Sequence, residues 1–202
     1  MPMQERARDN VKYLMCLLAL SACASTAGDA SARLEEFPHV EAPSKGSLAL
    51  GQTPLRFDLD LTLWHEQAVQ LPGNPRRLGA RMFLREKASA SAECPAGLAV
   101  TGELLPPDLG VQEYAAGRRS QMHQHIVEQV FSRDDGVLQL KNAIGYRARG
   151  VDGCHPFVYL IFAREHERGY MIALDADPED HPVIEGEIRA ILKSFRIVGG
   201  DG

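Results

Sequence analysis

The sequence predicts an α+β fold, an antiparallel sheet packed by two helices. Short runs that alternate apolar and polar side chains, or are apolar throughout, follow one another with only turns between them, the pattern of strands joined by hairpins. Near the carboxy terminus, Ile184, Ile188, Ile191, Leu192 and Phe195 fall at i, i+4, i+7, i+8 and i+11, one stripe of an amphipathic helix. The order is strands, helix, many strands, helix, short strand. Grouped strands with separated helices favour an antiparallel sheet over a βαβ arrangement.

The chain opens on basic residues (Arg6, Arg8, Lys12), continues through an apolar run from Tyr13 to Leu20, and reaches Leu20-Ser21-Ala22-Cys23. A charged start, an apolar middle and small residues before a cut form a secretory leader. The run is much shorter than the roughly 20 residues a membrane-spanning helix needs. The quartet resembles the lipobox of bacterial lipoproteins. That resemblance implies cleavage after Ala22, acylation of Cys23, and a permanent anchor held by several chains at about 0.8 kcal/mol per buried methylene. Ala24, not aspartate, follows the cysteine, which by the same resemblance favours the outer membrane, facing the periplasm, in a host with two membranes. An ordinary cleaved leader, with Cys23 following Ala22 by coincidence, is the alternative.

The leader is thus residues 1–22. Residues 23–46, rich in Ala, Ser, Pro, Gly and Glu, read as a flexible tether whose ends average roughly 25–30 Å apart. Residues 47–202 read as a single α+β domain. Within it, Leu55 to Leu61 alternates as a half-buried strand, and Pro72-Gly73-Asn74-Pro75 is a turn. Arg81 to Lys87 and Leu98 to Leu104 are further strands. Pro106-Pro107-Asp108 opens the first helix, with Asp108 as its cap. Val111, Tyr114, Ala115, Met122 and Ile126 supply its apolar face, weakened by Gly110 and Gly117.

A hairpin is expected next, Val127 to Ser132 against Val137 to Lys141 around Asp134-Asp135-Gly136, because Asp-Gly is a strong tight-turn signal. Ala143 to Gly150 adds a strand ended by Asp152-Gly153. Phe157 to Ala163 is apolar on both faces, so it belongs in the middle of the sheet. A charged turn from Arg164 to Arg168 leads to Tyr170 to Leu174. The last helix starts near Pro178 or Pro182, carries Glu185 and Arg189 four apart on its polar side, and is followed by a short closing strand, Arg196 to Val198.

The carboxy-terminal third, a two-strand apolar hairpin, an acidic turn and a helix ending Ala190-Ile191-Leu192-Lys193-Ser194-Phe195, resembles the ending of PsbP-like domains. That resemblance implies an α/β/α sandwich of the kind found in photosystem extrinsic proteins and small envelope lipoproteins. It covers about 70 residues at the level of pattern and includes no functional motif. The same ending is similar, more weakly, to that of immunity lipoproteins that neutralise type VI secretion phospholipase effectors. Both resemblances imply binding rather than catalysis, and neither carries a site residue.

Bulk properties narrow the partners. The net charge is −5, and loss of the leader makes the chain one unit more acidic. That balance argues against nucleic acid or an anionic lipid surface as the main partner. Of the four cysteines, Cys16 leaves with the leader and Cys23 takes lipid. Cys94 and Cys154 remain in an oxidising compartment, and we expect them to pair. The bond would close a loop of about 60 residues and restrict the unfolded chain by roughly 4 kcal/mol.

Candidate chemistry is sparse. His123 and His125, two apart, lie on different sides of a helix; on a strand they would share a face, as a zinc pair requires. Two solvated histidines are the plainer reading. Cys154-His155 would pair a thiol with a base, but neighbours in an extended chain point apart and a disulfide would consume the sulfur. Trp64-His65-Glu66 suits a binding cluster, an aromatic beside titratable groups, although a lone tryptophan more often sits in a core. Asp175, Asp177, Glu179 and Asp180 lack the glycine and terminal glutamate of a calcium loop and read as a solvated turn before the last helix. The sequence has no Gly-x-Ser-x-Gly elbow, phosphate loop or His-Glu-x-x-His. No metal or cofactor is expected. The resulting expectation is a non-catalytic envelope lipoprotein that binds a protein partner or supports the envelope. The alternatives are a periplasmic immunity protein and a small envelope hydrolase.

Overall fold

The computed structural model describes residues 46–69, 75–120, 125–150 and 157–199. Its centre is a seven-stranded antiparallel sheet in the order β3-β4-β5-β9-β8-β7-β6. The strands are β3 (Trp64–Gln67), β4 (Arg77–Arg85), β5 (Gly97–Leu104), β6 (His125–Phe131), β7 (Ala143–Gly150), β8 (Phe157–Glu165) and β9 (Arg168–Ala176). A second small antiparallel sheet, β1-β2-β10, joins β1 (Gly46–Ala49), β2 (Leu55–Leu59) and β10 (Arg196–Ile197). β1 is the first described strand and begins at Gly46, beside Ser47. Helix α1 (Val111–Arg119) lies on one face of the large sheet, and α2 (His181–Ser194) lies on the other with the small sheet. The α+β class with antiparallel sheets and two helices is as the sequence predicts; the strands divide into two sheets rather than one.

The layers follow from residue pattern. On the α2 face, Phe83, Leu98, Val100, Tyr170, Ile172, Leu174, Tyr159 and Ile161 point inward to meet Ile184, Ile188, Ile191 and Leu192. Phe195, one residue past α2, stacks on Phe57 of the small sheet at 5.0 Å. Ser194 Oγ accepts from the Asp58 amide at 2.9 Å, tying α2 to β2. The opposite face packs Val158, Leu160, Phe162, Met171 and Ala173 against Tyr114 and Ala115 of α1. Strands β8 and β9 are apolar on both sides because both their faces are covered.

Three expectations are corrected. Helix α1 starts at Val111 and stops at Arg119; its cap position is Gly110, whose amide donates to Glu113 Oε2 at 3.0 Å, not Asp108. Ile126, expected on that helix, stands on β6 and is exposed. β6 pairs with β7 and not with Val137 to Lys141. Arg133–Asp135 forms a 3-10 turn closed by Gly136 at φ +68°. The alternation after it serves a different end: Leu138 and Leu140 drop into the α2-side core, and burial there replaces ladder pairing. The close fit continues at Gly145, where an added methyl would stand 2.2 Å from the Phe131 ring. The turn Pro72-Gly73-Asn74 and the pair Asp152-Gly153 lie outside the described residues.

Candidate functional site

The polar residues before α2 are the first surprise. Asp175, Asp177 and Asp180 are buried, at 2 %, 3 % and 0 % exposure, so the solvated turn expected for them is not what forms. Asp177 and Asp180 accept backbone N–H groups from the segment between β4 and β5, and Asp175 accepts one from the first residue of β5. Asp180 takes Ala88 N and Ser89 N, the latter at 2.6 Å. Asp177 Oδ2 takes Glu93 N at 2.9 Å and Cys94 N at 3.2 Å, while its Oδ1 takes Glu179 N at 2.9 Å. Asp175 takes Gly97 N at 2.9 Å. Only glycine fits there, since a methyl on residue 97 would stand 2.7 Å from that carboxylate. A segment without ladder partners must satisfy its amides elsewhere, and these carboxylates do so with charge-assisted bonds. Only Glu179 of the four acids is exposed. The cluster is structural, and among the described residues no group of three His, Cys, Asp or Glu side chains is placed to hold a metal.

The Trp64-His65-Glu66 cluster does not converge. Trp64 is buried in the core and its Nε1 donates to Glu187 Oε1 at 2.5 Å; Arg85 Nε binds the same carboxylate at 3.1 Å. Alternation along β3 turns His65 to the other face, where Nε2 stands 3.3 Å from Glu86. Glu66 is gripped by two nitrogens of Arg81, Nη2 and Nε, at 2.6 and 2.7 Å, and that pairing lowers its pKa. Cys94 is buried and disulfide-bonded. Cys23, Cys154, His155 and His123 lie outside the described residues; His125 is the first residue of β6.

Two polar places remain. At one end of the sheet, an open depression is lined by Leu104, Pro107, Arg164, His166, Glu167 and Arg168. Its Arg164 donates to the carbonyls of His166 and Pro107, which holds the β8–β9 hairpin tip, where His166 takes the left-handed φ of +51°.

The second place is a charged shelf on the α2 face of β7 and β6. Strand alternation puts Arg147 and Arg149 on that face, Arg147 opposite Tyr159 of β8. Tyr159 stacks on His181, the first residue of α2, with Oη 3.0 Å from Nε2. Burial pushes the Tyr159 pKa up and the His181 pKa down. Glu128 of β6 stands 3.5 Å from Arg147 Nε and 3.6 Å from Arg149 Nε. Arg147 Nε is buried yet makes no hydrogen bond. On the helix, Arg189 binds Glu185 at 2.8 Å.

The shelf borders β6, which ends the sheet and among the described strands pairs only with β7. Ile126 and Val130 on it are 54 % and 55 % exposed. Sequence reasoning missed Arg147 and Arg149. Their spacing of two on an expected strand was the available signal. Glu128 reaches both only because the ladder shifts register between Val127 and Gln129, a bulge that pattern alone does not reveal.

No protein-family model matches the chain, and no curated protein sequence matches it. Among solved structures it is similar to the solution structure of cyanobacterial PsbP (CyanoP) from Synechocystis sp. PCC 6803, with a TM-score of 0.55 and 10 % identity. The likeness covers 82 % of this chain and 99 % of that one. It establishes a PsbP-like fold.

Proposed function

We propose that this chain is a non-catalytic, lipid-tethered module of the cell envelope that binds a protein partner through the open end of its large sheet. The observation that carries the reading is β6: an outermost strand of seven residues with two exposed aliphatic side chains and a charged shelf beside it. Exposed apolar groups rimmed by charge mark interaction surfaces, and an unpaired strand edge offers a row of backbone donors and acceptors to another chain. The PsbP-like fold is consistent with a binding role. The lipobox-like quartet Leu20-Ser21-Ala22-Cys23 supports a membrane anchor, from which the module would probe the periplasm on a tether. The disulfide of Cys94, which we assign to Cys154, suits that compartment.

The anchor and the surface are tested separately. Cys23→Ala should move the protein from the membrane pellet to the soluble fraction; retention in the pellet would refute lipid anchoring. A photo-crosslinking residue at Ile126 of the native, membrane-bound chain should yield a discrete protein adduct, with none from the same residue at exposed Glu179. Equal adducts from both positions, or none from Ile126, would refute the binding surface.

A further inference from the structure

We infer that the outer edge of β6 receives an extended segment of the partner as an added strand, with acidic side chains on the face that looks toward α2. The inference rests on the protein-binding reading above and names the chemistry of the occupant. Strand addition supplies main-chain hydrogen bonds, and the side chains on each face supply selectivity.

The charge argument is local. Arg147 and Arg149 grow from β7 and the Nε of each stands near Glu128 of β6, at 3.5 and 3.6 Å, while Arg147 also faces Tyr159 of β8 and Glu185 of α2. One carboxylate between two arginines leaves that trio net positive on a chain of net charge −5. The contacts are loose, 3.5 and 3.6 Å, against 2.6 Å for the saturated Arg81–Glu66 pair at the other end of the sheet. Arg147 Nε still lacks a hydrogen-bond partner. A strand added to β6 would lie about 4.8 Å farther out, so a carboxylate on its α2-facing side could meet the exposed Arg149 guanidinium. On the opposite face, Val130 sits across from Tyr146, and aliphatic partner residues would extend that apolar surface. The matching segment therefore alternates acidic and aliphatic residues.

The same charges exclude a second copy of the chain as the occupant. Edge-to-edge pairing of two β6 strands would bring two arginine-rich trios together, and like charges across a strand pair are destabilising.

The test measures binding of a labelled heptapeptide alternating valine and glutamate to the full-length lipidated protein in nanodiscs. Its valine–lysine counterpart and a glutamate peptide N-methylated at alternate residues serve as comparisons. The glutamate peptide should bind roughly tenfold or more tightly than the lysine peptide and weaken as salt rises. Arg149→Glu, at a half-exposed position away from the core, should cost about tenfold with unchanged circular dichroism. N-methylation should abolish binding. Equal affinity for the lysine peptide, retention of the N-methylated peptide, or indifference to Arg149→Glu would overturn the inference, as would no binding by any peptide. An Ile126 crosslink obtained alongside such a result would keep the protein-binding reading and reject the acidic strand alone.

Discussion

Asp177→Ala should be among the most damaging single substitutions in the domain, although the residue sits in what reads as a hydrophilic turn. Its carboxylate holds three backbone amides, those of Glu93, Cys94 and Glu179. Hydrogen bonds to a charged group contribute about 1.5–3 kcal/mol each, and a donor left unsatisfied in a buried place costs about 1–3 kcal/mol. Cys94 is buried, so its amide would have no replacement; Glu93 and Glu179 are exposed, and water would recover part of their loss. The net expectation is about 3–5 kcal/mol, equivalent to roughly 10 °C in Tm for a domain of this size. Asp177→Asn, with its carbonyl oxygen in the Oδ2 place, keeps two of the three bonds and should lose about half as much. Glu179→Ala, two residues away and exposed, should stay within about 0.5 kcal/mol of the parent. Urea unfolding followed by circular dichroism, with equal slopes required, measures all three. An Asp177→Ala loss below about 1 kcal/mol would show that the segment is held by something other than its acids.

The remaining expectations concern the shelf, the disulfide and the tight approach in β7. Burial depresses the His181 pKa below its ordinary 6.5 while Glu185 opposes the shift and Arg147 and Arg189 reinforce it. The folded state thus favours the neutral ring, so stability is complete above pH 6.5 and falls as pH drops from there through the folded-state pKa. His181→Gln should flatten that fall, and an unchanged pH profile would exclude His181 as its source. Mass spectrometry without reductant should recover a linked Cys94–Cys154 peptide; alkylation of both thiols in the native protein would contradict the pairing. Gly145→Ala should destabilise by about 1–3 kcal/mol through displacement of the Phe131 ring, and a neutral result in thermal unfolding would mean that the β6–β7 ladder yields freely.

Legibility in the sequence tracked the range of the interaction that decides each element. Helix α2 was readable because five apolar residues in one stripe face one core, and β8 and β9 because fully covered strands need no alternation. Ile126 was misread because helical spacing continues past Arg119 by coincidence, and only pairing with β7 shows the segment to be a strand. Val137 to Lys141 has true strand alternation, but Leu138 and Leu140 use it to seat an unpaired segment in the core. β3 escaped notice because it is four residues long with a single buried side chain, Trp64. The acids were the largest miss. Asp175, Asp177 and Asp180 look solvated because their partners are amides 78 to 92 residues earlier, and a backbone N–H has no signature in side-chain identity.

The two ends of the large sheet argue for one interaction surface rather than two. β3 is short, and its exposed side chains are already committed, His65 to Glu86 and Glu66 to two nitrogens of Arg81. Short edges covered by paired charge are how sheets resist further pairing. β6 is longer, exposes Ile126 and Val130, and carries Glu128 in loose contact with Arg147 and Arg149 of β7. Its bulge turns Glu128 toward those arginines without capping the strand. A fold that needed only to avoid aggregation would treat both edges alike. Among the described residues, one edge is covered by its own charges while the other has no strand beyond it, and on the strand-addition proposal a partner able to supply carboxylates would gain more at β6 than on β3.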